Sequence, residues 1–320
     1  MGGGMEVTLR ERDLYGQSVQ IKERKGAKTI YHMDYGKGQG TMTAFKLFTG
    51  VELVYNNFSS FTCVHMAESL ADVIEINHCR RGRFECEFKG SSFAYLGEGD
   101  MAINMLENQV CYSSFPLGIY EGVSILIDIK MVRDMLSNII EGVSINLYEL
   151  RDKLCPKNGC LVLKAPVKIE HIFQEIYKVE PKIQLGYLRL KILELLLIFS
   201  SLPSPSFKIS PYFSMEQVQK VKHIRQHLIK SLDRHITLKE LAAEHQISLT
   251  SLKNCFKAIY GKTIYAFCRE YRMQTAAEII KDTPLPITQI AGMVGYENPG
   301  KFSAAFKKIM GMPPLEYRKK

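Results

Sequence analysis

The chain has 320 residues, eight cysteines, no tryptophan and a net charge of +9, a length that suits two domains of ordinary size better than one. From Phe207 to Lys320 there are 19 Lys and Arg against 9 Asp and Glu, a net +10, which leaves the first 206 residues near −1. A basic third joined to a neutral remainder argues against a uniformly solvated surface and marks a domain made for a polyanion.

The chain opens MGGGMEVTLR, without a secretory core, and Glu6 stands where a myristoylation signal wants Ser or Thr, so a cytoplasmic location is expected. The segments VELVY at 51–55, VIEINH at 73–78, RFECEF at 83–88, FAYL at 93–96, MAINM at 101–105 and VSILIDI at 123–129 read as strands by alternation or β-rich composition. Turn signals at Arg81-Gly82, Lys89-Gly90, 97–100 and 115–118 separate them. Short antiparallel strands at that spacing predict a small barrel or jelly roll, with its mouth as the natural ligand site.

Helices are expected next at 131–140, 167–179 and 186–202. The last, GYLRLKILELLLIFSSL, is unusually apolar but too short, and too interrupted by Lys191 and Glu194, to span a membrane. Either it packs wholly inside its own domain or its surplus face meets the same helix of a second chain, giving a homodimer. PSPSFKISPYFS at 203–214 has the composition of a linker.

The C-terminal third contains a repeat. SLTSLKNCFKAIYG, from Ser248 to Gly261, and the stretch from Asn298 to Gly311 are each a capped helix with one apolar stripe: Leu252, Cys255, Phe256 and Ile259 in the first, Phe302, Ala305, Phe306 and Ile309 in the second. Ser248 and Asn298 are the N-caps, Pro299 sits at a first helical position, and Gly311 ends the second helix. Each is preceded by a shorter helix, TLKELAAEHQI with capping-box residues Thr237 and Glu240, and PITQIAGMVGY with Pro286 at its start. Leu238, Leu241 and Ala242 correspond to Ile287, Ile290 and Ala291 at an offset of 49, whereas Leu252, Phe256 and Gly261 correspond to Phe302, Phe306 and Gly311 at 50. The one-residue slip falls in the turn. Small residues at Ala242 and Ala291 let the paired helices cross closely, as a helix-turn-helix requires. Two amphipathic helix pairs in a plain bundle would explain the stripes but not the repeated turn and cap.

Between the units, residues 264–280 put Ile264, Phe267, Tyr271, Ala276 and Ile279 on an inward face and predict one connecting helix. Seventeen residues at 1.5 Å each span roughly 25 Å. With the flanking turns, that can set two recognition helices in successive major-groove segments about 34 Å apart.

The stretch from about Val218 to Arg318 resembles the DNA-binding domain of the AraC/XylS family of transcription regulators. The residues that carry the resemblance are TLKELAAEHQISLTSLKNCFKAIYG, YRMQTAAEII and ITQIAGMVGYENPGKFSAAFKKIMGMPPLEYR. SLKNCFKAIYGKTIYAFCREYRMQ with VGYENPGKFSAAFKK is similar to the subgroup that includes the pyochelin-receptor regulator, a sensor of an iron-loaded siderophore. The resemblance implies an α+β protein of two domains. A cupin-like β-barrel with a helical dimerisation segment at 1–202, to which GEGDMAINM also points, precedes a linker at 203–214. An all-α DNA-binding domain of two helix-turn-helix units joined by a helix follows at 215–320. It implies as partners double-stranded DNA, read as two successive major-groove half-sites, an unidentified small-molecule effector, a second copy of the chain and RNA polymerase.

Residues off the buried stripe and near each helix N-terminus point into the groove. In the first helix these are Thr250, Lys253 and Asn254, which the family pattern also marks; Lys253 can donate to guanine and Asn254 can pair with adenine. In the second they are Gly300, Lys301, Ser303 and Ala304, a departure from the family's usual Gln, Ser, Arg or Tyr, and two of these have nothing to read with. Lys257, Lys307 and Lys308 are expected on phosphates.

Catalysis and metal binding find little support. CPKNGC, with Cys155 and Cys160, is the nearest approach to a zinc pair and has no second pair. Cys79, Cys86, Cys255 and Cys268 read as buried thiols. A metal-dependent cupin enzyme needs His-x-His with a carboxylate close by, which neither His65 nor His78 has. A DNA-repair fusion would need clustered N-terminal cysteines. No metal, no cofactor and no membrane partner are expected, and the alternative class is an effector-independent DNA binder.

Overall fold

Alternating side chains build the N-terminal unit from antiparallel strands: β1 (Gln20–Lys25), β2 (Lys28–Asp34), β3 (Gln39–Phe48), β4 (Val51–Ser59), β5 (Thr62–Cys63), β6 (Val73–Phe88), β7 (Ser92–Gly97), β8 (Asp100–Met105), β9 (Val110–Ser114), β10 (Tyr120–Asp128) and β11 (Leu161–Lys164). The computed structural model describes residues 6–34, 38–63, 70–89, 92–108, 110–132, 145–155, 160–201 and 212–319, and divides into two units, Met1–Phe213 and Ser214–Lys320. The strand order runs β1-β2-β3-β4-β10-β6; the first half of β6 also pairs with β8, which pairs with β11, and its second half pairs with β7 and β9.

The turn expected at Arg81-Gly82 is therefore a continuous strand. Gly82 bends it instead: its φ is +87°, and a Cβ there would lie 2.1 Å from the Ile119 carbonyl oxygen, so only glycine lets β6 pass from one sheet to the other. The closed barrel is not formed by the pairings of the described residues; β1 and β11 each pair on one side only. Edge strand β1, with Lys22, Glu23, Arg24 and Lys25 in sequence, carries the charges that protect a free edge.

Among the described residues, helices that accompany the sheets are α1 (Leu9–Tyr15), closed by a Thr8–Glu11 capping box, α2 (Leu147–Leu154), α3 (Val167–Lys178) and α4 (Gln184–Ser201), and residues 129–132 are also helical. Of the helix expected at 131–140, residues beyond 132 lie outside the described residues, as do His65 and the linker residues 203–211. One core joins a sheet face, including Leu53, Ile76 and Ile125, to Phe173, Leu195 and Phe199 of the helices. The other fills the opposite face with Met42, Phe58, Phe115, Tyr120 and Leu126 beneath Leu14 and Tyr15. Helix α4 spends most of its apolar surface inward: Leu195 is 1% exposed, and Leu190, at 65%, is its outward apolar residue. Cys79, Cys86, Cys111, Cys155, Cys160, Cys255 and Cys268 are free, and burial pushes the Cys79 and Cys155 thiols up to about 12. No described helix is long and apolar enough to cross a membrane.

The C-terminal unit is helical throughout: α5 (Met215–Lys230), α6 (Leu238–Glu244), α7 (Leu249–Tyr260), α8 (Ile264–Asp282), α9 (Ile287–Met293), α10 (Pro299–Met310) and α11 (Pro314–Arg318). Helix α8 runs 19 residues, about 28 Å at 1.5 Å per residue. Its buried residues are Ile264, Met273, Ala276, Ala277 and Ile280, which corrects the single inward face expected. Phe267 and Tyr271 are half-buried, with Phe267 against Phe256 and Tyr260 of α7, whereas Met273, Ala277 and Ile280 pack with α9 and α10. One helix serves two small cores, so its apolar residues form two patches that no single stripe describes.

Candidate nucleic-acid interface

Helices α7 and α10 are built alike. The Ser248 side chain accepts from the Ser251 backbone N–H at 3.1 Å, and the Asn298 side chain accepts from that of Lys301 at 3.0 Å. Each cap satisfies a donor that a helix N-terminus leaves open. Gly261 and Gly311 end the two helices in left-handed conformations, φ +75° and +83°. Leu252, Cys255, Phe256 and Ile259 are buried on α7; on α10 Phe302 and Phe306 are fully buried while Ala305 and Ile309 are half-buried.

The preceding turns superpose bond for bond along the sequence. His245 N–H donates to Leu241 O and Ile247 N–H to Ala242 O; 49 residues on, Val294 N–H donates to Ile290 O and Tyr296 N–H to Ala291 O. Glu297 is then the residue by which the second turn is longer before its cap. The partners holding the turns differ. Lys220 Nζ donates to Gln246 O at 2.9 Å in the first, while Gly295 in the second packs against Leu232 O and the Arg272 guanidinium. Arg272 Nη2 also donates to Arg234 O at 2.8 Å. Sequence reasoning missed Lys220 and the structural use of Arg272, since neither belongs to the repeat. The Thr237–Glu240 capping box opens α6, and hydrogen bonds from Thr237 hold the Glu240 carboxyl below its ordinary value.

Opposite the stripes, Thr250, Lys253, Asn254 and Lys257 are exposed on α7. On α10, Gly300, Lys301, Ala304, Lys307 and Lys308 are exposed and Ser303 is half-buried. The first set offers a hydroxyl, an ammonium and a carboxamide near a helix N-terminus. The second offers ammonium groups but no carboxamide or guanidinium. Elsewhere in this unit His227, Glu244 and His245 bring ligand atoms within 4.8 Å of one another, with His227 Nδ1 3.5 Å from Glu244 Oε1.

A family model described as a helix-turn-helix domain matches residues 241–320. The C-terminal unit is an AraC-type helix-turn-helix domain. Over 101 residues the chain is 27% identical to the HTH-type transcriptional activator RhaR of Mannheimia succiniciproducens, covering 32% of this chain and 37% of that protein. Over 148 residues it is 28% identical to the xylose operon regulatory protein of Escherichia coli, covering 42% and 37%. The C-terminal domain of AraT, a response regulator from Geobacillus stearothermophilus, is 36% identical over 31% of this chain and 84% of that one, with a TM-score of 0.31. The chain thus spans little more than a third of the length of these two curated relatives. Within the AraC-type domain, the matched segment contains both recognition-helix candidates, α7 and α10.

Proposed function

We propose that the chain is a ligand-responsive, sequence-specific regulator of transcription that acts without a catalytic step. The observation that carries this reading is the repeated presentation of α7 and α10, each with a side-chain cap after a left-handed turn, a buried stripe and an uncovered polar side. A helix so capped can lay its N-terminal residues on base edges in the major groove. Thr250, Lys253 and Asn254 of α7 are the readers; Lys301, Lys307 and Lys308 of α10, with Lys257, hold phosphates, because Gly300 and Ala304 have no group with which to discriminate bases.

In this reading the N-terminal unit is a cupin-like sensor in the cytoplasm, a homodimer forms through α4, and RNA polymerase is a further partner. The similarity to a protein named for a xylose operon supports a small-molecule effector. Selection from a randomised duplex pool tests the function. The expected product is a site with two half-sites about 34 Å apart, the half under α7 carrying more sequence information. Equal affinity for selected and random duplexes overturns the reading.

A further inference from the structure

Two adjoining cavities, each of about 80 Å³, lie inside the N-terminal unit, and Glu75, Asn77 and Phe84 line both. Strand alternation puts Glu75 and Asn77 on the face of β6 opposite Ile74 and Ile76. Glu75 sits deep in the unit yet is only half-buried by area, because the surface it keeps faces the cavities. The hydrogen bonds around it run one way. Asn56 Nδ2 donates to Ser124 Oγ at 2.8 Å, Ser124 Oγ donates to Asn77 Oδ1 at 2.5 Å, and the Asn77 and Asn104 side chains bond the Glu75 carboxylate. Among the described residues no Lys, Arg or His lines either cavity, so the carboxylate has donors but no countercharge.

The second cavity adds an aromatic wall. Phe58 stacks on Phe115 at 4.9 Å, Phe115 on Tyr120 at 5.4 Å, and Phe84 lies 5.4 Å from Tyr120. Aromatic faces beside a carboxylate in a dry site attract cations, both by charge and by the ring quadrupole. We infer that the paired cavities take an organic cation, a small and mainly apolar molecule whose ammonium group lies against Glu75 and the rings of Phe84, Phe115 and Tyr120. The inference rests on the sensor reading of this unit and deepens it by fixing the charge of the effector. Anions are rejected by Glu75. Sugars are disfavoured because Leu96, Leu106, Val110 and Val162 leave most hydroxyls without partners. Burial alone pushes the Glu75 carboxyl above its ordinary range, and a bound cation reverses that pressure.

The test is calorimetric titration of the full chain with benzylammonium, choline, benzyl alcohol, benzoate and xylose. Saturable binding of benzylammonium or choline, with benzyl alcohol weaker and benzoate and xylose silent, is the expected result. Glu75→Gln should keep its near-ultraviolet dichroism and lose about tenfold or more in affinity for the cation, with benzyl alcohol unaffected. Should that variant fail to fold, Phe84→Leu removes an aromatic face, leaves the carboxylate, and should also weaken the cation selectively. No binding of either cation, equal binding of benzylammonium and benzyl alcohol, or unchanged cation affinity in the folded variants overturns the inference. If benzyl alcohol, benzoate or xylose binds instead, the sensor reading stands and the cation assignment falls; selected-duplex binding reports on the DNA-binding reading separately.

Discussion

Gln246 and Gly295 are the same residue of one repeated turn, and both have left-handed backbones, with φ of +49° and +76°. Only the second position also has a neighbour in the way: a Cβ on Gly295 would lie 2.4 Å from Leu232 O. Gly295→Ala should therefore cost more than the roughly 1–2 kcal/mol of a left-handed L-residue. Gln246→Gly should be neutral or stabilising by up to about 1 kcal/mol, since glycine adopts this conformation without strain. Urea unfolding of the two variants compares them directly. A wild-type midpoint for Gly295→Ala contradicts the account of the turn.

Those turns were legible in the sequence because caps, stripes and glycines act over a few residues, and because the unit occurs twice. The sheets were less so. Edge strand β1 is hidden by a run of charges, β2 and β3 were also not named although they lie inside the sheet, and β6 was cut in two at Gly82, whose role in a bend depends on Ile119 far along the chain. Glu75 was invisible for a different reason. In VIEINH an alternating Glu and Asn look like a solvent face, and only the packing of the second sheet makes that face an interior wall.

The apolar helix α4 separates core from interface. Leu195 is buried against the sheet, so Leu195→Lys should unfold the N-terminal unit, a charge in the core lacking any partner. Leu190→Lys should leave the fold intact and, if α4 joins two chains, yield monomers by light scattering. A wild-type protein that is monomeric at micromolar concentration with and without DNA rules out the homodimer.

Acid should weaken the N-terminal unit in two steps. His78 is fully buried, with Nε2 2.8 Å from Glu170 Oε2, Nδ1 3.0 Å from the Tyr177 hydroxyl, and its ring stacked 4.2 Å from Phe173. Burial lowers its pKa, outweighing the pull of Glu170 and Asp100, with Lys164 also lowering it. The unfolded chain then binds the proton first, so stability falls as pH drops below about 6.5, until the folded imidazole also titrates. Burial acts to raise the Glu170 carboxyl, but hydrogen bonds from Gln174 and His78 bring it below its ordinary 4.5; its contribution is lost at lower pH. His78→Gln should flatten the first step and leave a second, smaller one held by the Gln174 hydrogen bond to Glu170, read from urea midpoints between pH about 7.5 and about 3. An unchanged first step removes His78 as its cause.

The polar sides of α7 and α10 should behave differently if one reads bases and the other holds phosphates. Asn254→Ala should cost about 1–3 kcal/mol on the selected duplex and almost nothing on a scrambled one, because a lost base contact matters only where the base is right. Lys307→Ala should weaken both duplexes alike and lower the salt slope by about one unit, the signature of one phosphate contact. Phe306→Ala supplies the contrast of a folding defect: Phe306 is fully buried, and removing a buried Phe costs about 3–5 kcal/mol. Circular dichroism should therefore report a weakened domain for Phe306→Ala and an intact one for the two surface variants. Titrations of each variant on both duplexes at several salt concentrations distinguish the roles, and equal losses on the two duplexes for Asn254→Ala would remove α7 as the reading helix.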